Sequence, residues 1–168
     1  DPGTPVEITN SGDEYNAVFD FTIPRGEPGG GGIESLAVVD TAAKPFTAPG
    51  PIVFTDPALV ADAPFSYTPG NAIFDINQPG VYQAIFHCTV EVNPGTTIPS
   101  QILIQLYRSG TPLAGSATRH TFTASGEVAN VTLSTPFDVT SIPAQLEVYV
   151  EEAGYTITDS SLTILRLS

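Results

Sequence analysis

Residues 81–92, VYQAIFHCTVEV, alternate apolar and polar side chains with a period of two. Successive side chains of a β-strand point to opposite faces of the sheet, so this period predicts a strand that begins after Gly80. The apolar set predicts the face that belongs to the core, and it consists of Tyr82, Ala84, Phe86, Cys88, Val90 and Val92. The other face carries Val81, Gln83, Ile85, His87, Thr89 and Glu91.

Similar short runs rich in Val, Ile, Phe and Thr extend to both sides of this strand. They are separated by turn sequences such as Gln78-Pro79-Gly80 and Asn93-Pro94-Gly95. With Gly 15, Pro 16 and 41% hydrophobic residues, the chain is predicted to be an all-β sandwich or jelly roll. The predicted strands of this part are 33–40, 52–55, 72–77, 81–92, 101–108, 116–123, 128–139, 145–151 and 156–167.

The first 32 residues differ in character from the rest. Two further strands are predicted at 6–8 and 16–23, and they contain too little apolar surface to fold alone. We therefore expect residues 1–24 either to pack on the main domain or to form a collar with copies from neighbouring chains. Residues 25–32 place Gly26, Gly29 and Gly32 at every third position, which fits a collagen-like register and equally a flexible linker. The head domain is predicted at 33–168.

The charge balance excludes several classes of protein. The chain has Lys+Arg 5 against Asp+Glu 18, a formal net charge of -13, and its cations are scattered. Nucleic-acid binding needs clustered positive charge, and docking on anionic lipid needs the same. No apolar run approaches the roughly 20 residues that cross a bilayer, so no membrane insertion is expected. Since the chain begins Asp1-Pro2-Gly3 without Met, it looks like a piece of a longer protein.

Residues that could carry catalysis are few. His87 and His120 are the only histidines, and Cys88 is the only cysteine. His87 and Cys88 are neighbours in a predicted strand and point to opposite faces, so they cannot form a catalytic pair. No catalytic residue and no cofactor site is predicted, and the protein is not expected to be an enzyme. Glu151 and Glu152 beside a predicted turn are candidate oxygen ligands for calcium, although an ordinary solvated edge explains them as well.

The order of motifs resembles the C1q/TNF-like trimeric heads found on collagen-like stalks. The resemblance rests on four segments, 74–82 (FDINQPGVY), Phe86-His87, 106–110 (LYRSG) and 160–167 (SSLTILRL). Ala84 departs from the pattern, because many members have an aromatic residue there. Residues 10–26 resemble a module that precedes collagen-like tracts in bacterial and bacteriophage fibre proteins, such as spore-surface proteins and phage tail fibres.

The resemblance implies a C1q/TNF-like jelly roll with stalk and C-terminus together at the base. Four connections then meet at the far end, 41–50, 93–100, 124–127 and 151–158, where loops can vary without unfolding the sandwich. The predicted ligand-contacting residues of this apical end are Asn93, Thr96, Glu127, Glu151, Glu152 and Tyr155.

The resemblance also implies a homotrimer. Apolar residues on both faces of the last strand support this, since one face can be covered by another subunit. The predicted axis-facing residues are Tyr82, Phe86, Tyr149, Leu165 and Leu167. A core position within one chain is the alternative for each of them.

The function that follows is a non-enzymatic trimerisation and receptor-binding head at the tip of a collagen-like fibre, on a cell or spore surface or a virion tail. Its expected partners are itself and a surface glycan or protein receptor. Two alternatives remain, a monomeric carbohydrate-binding sandwich and a purely structural fibre cap. The absence of Trp counts against the first alternative, because exposed Trp is typical of such modules.

Overall fold

The computed structural model describes residues 7–13, 15–16, 18–22 and 32–168. The chain divides into two compact units, residues 1–32 and 33–168. The described residues contain strands and no helix, which confirms the all-β prediction. The strands are β1 (Glu7–Asn10), β2 (Phe19–Thr22), β3 (Ser35–Asp40), β4 (Lys44–Phe46), β5 (Gly50–Pro51), β6 (Val60–Ala61), β7 (Phe65–Tyr67), β8 (Phe74–Ile76), β9 (Gly80–Val92), β10 (Ser100–Arg108), β11 (Thr111–Pro112), β12 (Thr118–Phe122), β13 (Val128–Val139), β14 (Ala144–Val150) and β15 (Tyr155–Arg166).

In the first unit, β1 and β2 form an antiparallel hairpin in which Ile8 lies opposite Phe21. The carboxylate of Asp13 stabilises the turn, because its Oδ1 accepts hydrogen bonds from the backbone N–H groups of Tyr15 (2.9 Å) and Asn16 (2.7 Å). The predicted collagen-like segment lies outside the described residues except for Gly32.

The second unit consists of two antiparallel sheets. Sheet I has the order β13-β9-β15-β3-β6, with β4 paired to β15. Sheet II has the order β11-β10-β14-β8-β7, with β12 paired to β10 and β5 paired to β14. Consecutive strands frequently lie in different sheets, which is the connectivity of a jelly roll rather than of a meander.

The core lies between the two sheets and follows the alternation of the sequence. All six inward residues predicted for β9, from Tyr82 to Val92, are buried. The Tyr82 ring packs against Phe65 of β7 and Phe137 of β13, each at 5.8 Å between ring centroids. Leu36, Phe74 and Ile104 are among the other fully buried residues. Sheet membership and burial therefore agree with a sandwich whose apolar faces pack on each other.

Most predicted strands agree with the observed ones, and several of the short ones were missed. Residues 128–139 match β13, and 81–92 match β9 except for Gly80. Residues 52–55 were predicted as a strand, but Phe54 forms only an isolated bridge with Asn71, beside the two-residue strand β5. β4, β5 and β11 each contain Pro and are two or three residues long, so they carry no readable alternation.

The base of the sandwich holds the beginning and the end of this unit together. The Arg166 guanidinium donates hydrogen bonds from Nη1 to Glu34 Oε2 (2.6 Å) and to Gln78 Oε1 (2.7 Å). Beyond β15, the backbone N–H of Leu167 donates to the Val81 carbonyl at 2.7 Å. The ends of β3, β9 and β15 are thereby fastened to one another.

A buried carboxylate at the end of β3 joins three parts of the chain. Asp40 Oδ1 accepts from the backbone N–H of Ala42 (2.8 Å) and lies 2.8 Å from the Lys44 Nζ. Its Oδ2 accepts from the Thr55 N–H (2.6 Å) and hydroxyl (2.9 Å). Burial by itself would raise the pKa of Asp40, but these hydrogen bonds outweigh it and lower the pKa from 3.8 to about 2.

This carboxylate should make the stability depend on pH in the acid range. Because the folded pKa of Asp40 is below its unfolded value, its contribution is complete above pH 3.8 and is lost as the pH falls towards 2. We expect Asp40→Asn to lower the free energy of unfolding at pH 7 by about 2 kcal/mol. The variant should also lose less stability than the wild type between pH 5 and pH 2, measured by urea unfolding.

Asp138→Asn is the matched control, because the side chain of Asp138 is 70% exposed and its ion pair with Arg108 is solvated. Its effect should stay within about 0.5 kcal/mol. An equal decrease in the free energy of unfolding in the two variants would contradict the stabilising role proposed for the Asp40 carboxylate.

Candidate functional site

Loops at the end of the sandwich opposite Arg166 are hydrogen-bonded into one cluster, here called the apical cluster (residues 93–99, 123–127 and 151–154). The Asn93 N–H donates to the Gly154 carbonyl (2.9 Å), and the Gly154 N–H donates to the Phe46 carbonyl (2.8 Å). The Val92 N–H donates to the Glu127 carbonyl at 3.3 Å. All four predicted connections therefore lie close together, since Phe46 of 41–50 contacts this cluster, and their role in ligand binding stays a prediction.

Gly154 lies at the centre of this cluster. Its carbonyl also accepts a hydrogen bond from the Thr96 hydroxyl at 3.0 Å. The Asn93 side chain is held from the strand side, where the Thr156 hydroxyl donates to Asn93 Oδ1 at 2.6 Å. Asn93 and Thr96 are thus fixed in place by contacts within the chain.

Glu127 organises the loop that follows β12. Its Oε2 accepts from the backbone N–H of Thr123 (2.8 Å) and of Ala124 (3.1 Å), and its Oε1 lies 3.6 Å from His120 Nε2. The hydrogen bond from the Thr123 backbone is the main cause of the lowered pKa of Glu127, followed by that from Ala124. This carboxylate therefore stays ionised and shapes the loop.

The two glutamates proposed for calcium bind different partners of their own chain. The Tyr107 hydroxyl donates to Glu151 Oε1 at 2.7 Å, and the Leu103 backbone N–H donates to Glu152 Oε2 at 2.6 Å. No group of three or more His, Cys, Asp or Glu side chains suited to a metal occurs among the described residues. The structure therefore gives the calcium hypothesis no support at this position.

One predicted apical residue is corrected. Tyr155 is only 1% exposed, and its ring packs at 5.5 Å from Phe122. It begins β15, and its side chain points into the sandwich. A ligand at the apical end therefore cannot reach it without opening the core.

The predicted axis-facing residues do not share one surface. Tyr82 and Phe86 are fully buried inside a single chain, so their assignment to a subunit axis is wrong for geometric reasons. Tyr149 is half-buried on the outward side of β14 in sheet II, with Gln105 as its register partner, and its place at a subunit axis stays a prediction. Leu165 and Leu167 belong to the other sheet, where Leu165 is half-buried and Leu167 is exposed.

The outward side of sheet I forms a surface without formal charge, here called the uncharged face. On β3, β9, β13 and β15, the outward residues in the rows aligned with Gln83, Ile85 and His87 contain no Asp, Glu, Lys or Arg. They are Ser35, Ala37, Val39, Gln83, Ile85, His87, Thr132, Ser134, Pro136, Ser161, Thr163 and Leu165. Charged residues border this surface. Glu91 lies towards the apex, Asp159 at the bulge of β15 and Asp138 beside Val81, and Asp62 lies at the edge next to Ser35, whose backbone N–H donates to Asp62 Oδ2 at 2.7 Å.

Exposed aliphatic side chains cross the uncharged face. Val39 is 40% exposed and Ile85 39%, and Leu165 lies between their strands. Val81 and Leu167 continue the apolar strip towards the base. The alternation of residues 81–92 predicts Val81 and Ile85 on the non-core side of their strand, and it is the sequence signal for this surface.

The groups suited to nucleophilic chemistry lie in unreactive settings. Burial raises the pKa of the Cys88 thiol to about 12, so the thiolate is scarce at neutral pH. His87 lies on the uncharged face and His120 beside Glu127, in different sheets. No helix in the described part of the chain is long and apolar enough to cross a membrane.

Comparison with known proteins identifies the fold. No family model matches the chain, and no curated protein matches its sequence. Among solved structures, the globular domain of zebrafish complement 1qA protein matches with a TM-score of 0.54 and 14% identity, covering 80% of this chain and 98% of that one. Eiger TNF from S. frugiperda matches with a TM-score of 0.59 and 9% identity, covering 81% of this chain and 93% of that one. The fold is a C1q/TNF-like jelly roll.

The apical cluster of this jelly roll depends on the backbone at Gly154. Its φ is +99°, and a Cβ there would lie 2.8 Å from Thr96 Oγ1. We expect Gly154→Ala to lower the free energy of unfolding by about 2–3 kcal/mol, because strain in φ and a steric clash combine. Amide hydrogen exchange should also increase at Asn93.

Gly95→Ala is the matched control, since Gly95 has a φ of +89° and open space around its Cβ position. Its free energy of unfolding should fall by only about 1 kcal/mol, because the variant has the strain in φ without the steric clash. If Gly95→Ala destabilised the protein as much as Gly154→Ala, the packing of Thr96 on Gly154 would not hold the cluster together.

Proposed function

We propose that residues 33–168 form a non-enzymatic homotrimeric head that joins three chains through the uncharged face of sheet I. The single observation that carries the proposal is the absence of formal charge across these rows in a chain of net charge -13. A surface that stays in contact with water can carry charged side chains without cost, and in so acidic a protein we would expect some there. A surface that is buried in an interface excludes them, because desolvated unpaired charges cost several kcal/mol each.

The resemblance seen in the sequence supports a trimer, and the C1q/TNF-like fold is consistent with it. Three chains carry three times the charge of one, so their mutual repulsion must be offset by apolar contacts. Val39, Ile85 and Leu165 supply such contacts at the centre of the uncharged face, and Val81 and Leu167 extend them towards the base. We propose Val39, Ile85 and Leu165 as the centre of the interface, with Val81 and Leu167 at its margin next to Asp138.

The apical cluster is proposed as the receptor-binding end of the trimer. Its backbone is fixed by Gly154, Asn93 and Glu127, while side chains such as that of Thr97 point outwards. A rigid loop frame with variable exposed positions suits recognition, because little conformational entropy is lost on binding. The head is proposed to act outside the cell, at the tip of a collagen-like fibre on a bacterial or spore surface or a phage tail.

The solution mass of the 168-residue chain tests the trimer. Light scattering on a size-exclusion column, at two protein concentrations, should give the mass of three chains. Ile85→Glu should reduce it to one chain, because the trimer would bury three unpaired carboxylates close to one another. The far-ultraviolet circular dichroism of the variant should remain that of a β-protein, since Ile85 points away from the core.

Gln101→Glu is the control, because it adds the same charge on the exposed side of sheet II and should leave the mass unchanged. A wild-type mass of one chain at both concentrations would overturn the trimer. A trimer that Ile85→Glu leaves intact would show that the chains meet through another surface.

A further inference from the structure

The outward side of sheet II differs in chemistry from the uncharged face. Two tyrosines, Tyr107 on β10 and Tyr149 on β14, are half-buried there, with their ring centroids 4.7 Å apart and their planes at 33°. Neither ring belongs to the core. The two rings pack on each other and form one aromatic patch, with Leu103 on β10 and Pro51 beside Tyr149 as apolar neighbours on a largely polar surface.

Contacts within the chain hold this aromatic patch in one orientation. The Tyr107 hydroxyl donates to Glu151 Oε1 at 2.7 Å, which fixes the ring at its far end. The strand register places Glu147 opposite Tyr107 and Gln105 opposite Tyr149. Ring surface and planar polar groups therefore alternate on two paired strands, with their positions set by the backbone ladder.

Further planar polar side chains surround the patch. Gln145 donates to Asp75 Oδ1 at 3.3 Å, and Gln105 donates to the Leu113 carbonyl at 3.4 Å. An amide group offers two donors and an acceptor with two lone pairs, so one such hydrogen bond leaves others for a ligand. Leu103 is the aliphatic residue of this surface in the rows of β10.

We infer that this surface of sheet II binds a neutral glycan, with Tyr107 and Tyr149 as the stacking platform and Gln105 and Glu147 as hydrogen-bonding groups. This rests on the proposed function in that it names a class of receptor. It adds a binding surface on the side of the head, next to Glu151, to the one proposed at the apical cluster.

The chemistry of a sugar ring matches these groups. One side of a pyranose presents C–H groups, which carry partial positive charge and are attracted to the negative face of an aromatic ring. The hydroxyl groups at its rim both donate and accept hydrogen bonds. Carboxylate and amide side chains can form these hydrogen bonds in the plane of the sugar ring. Because the two tyrosines are held in place, they lose little entropy on binding.

The surroundings argue against other classes of ligand. Protein interfaces place aliphatic and aromatic groups at a desolvated centre, whereas this surface is largely Gln, Glu and Thr. Glu147, Asp75 and Glu151 lie near the patch, with Arg119 as a nearby cation on β12. Together with the net charge of -13, these carboxylates repel uronic, sialylated and phosphorylated glycans, so the glycan should be neutral.

Titration calorimetry with defined oligosaccharides tests the inference on the full chain. The probes are chitohexaose, cellohexaose and maltohexaose, with hexagalacturonate as the acidic comparison. At least one neutral probe should bind, and Tyr149→Ala should weaken it about tenfold through the loss of ring contact. Tyr107→Phe keeps the ring and removes only the hydrogen bond to Glu151, so its effect should be about threefold.

Tyr15→Ala is the matched control, because Tyr15 is 86% exposed and lies in the other unit. It should leave the affinity unchanged. Absence of binding to every neutral probe would overturn the inference, and so would equal affinity in the wild type and Tyr149→Ala. Tighter binding of hexagalacturonate than of any neutral probe would overturn the assignment to neutral glycans.

The same experiment separates this inference from the trimer. Ile85→Glu should retain the affinity per chain, because Ile85 lies on the other sheet. A monomeric wild type with tyrosine-dependent glycan binding would overturn the trimer and support the glycan site. A wild-type trimer that binds no glycan would support the trimer and overturn the glycan site.

Discussion

The alternation of side chains along β9 is the constraint on which the rest of this structure depends. Apolar residues on one side of the strand must be buried, and this fixes which side of sheet I faces sheet II. The residues between them are then forced outwards together. Because β9 pairs with both β13 and β15, its outward residues occupy the middle of the sheet rather than an edge. Core and uncharged face are thus two results of one pattern.

The two outward surfaces of the sandwich have different chemistry although their strands have similar inward residues. Sheet I presents Val39, Ile85 and Leu165 among small polar side chains without charge. Sheet II presents two tyrosines among amides and carboxylates. Packing in the core constrains the inward positions and leaves the outward ones free to differ. The proposals of self-association through sheet I and of glycan binding on sheet II rest on this difference.

The sequence predicted the strands and their inner faces well wherever the alternation was long. β13 and β9 were found almost to the residue, while β4, β5 and β11 were too short and too rich in Pro to be seen. The site was predicted less well. Alternation assigns a residue to a side of its strand and does not tell in which sheet the strand lies, which is set by long-range pairing. Tyr149 and Leu165 illustrate this, because both were predicted on the subunit axis from the resemblance and they lie in different sheets. The alternation of β9 had already placed Tyr82 and Phe86 in the core, so their second assignment conflicted with it.

The position of β15 has a consequence for how the protein is made. This strand is synthesised after β3 and β9, yet it lies between them in sheet I. Until β15 is synthesised, the edges of β3 and β9 that pair with it have no partner strand. Unpaired strand edges readily pair with a strand from another molecule. Chains translated side by side on one messenger can therefore insert residues 155–166 into a neighbour instead of themselves. The yield of correctly folded heads is then set by the order of synthesis as much as by the stability of the finished sandwich.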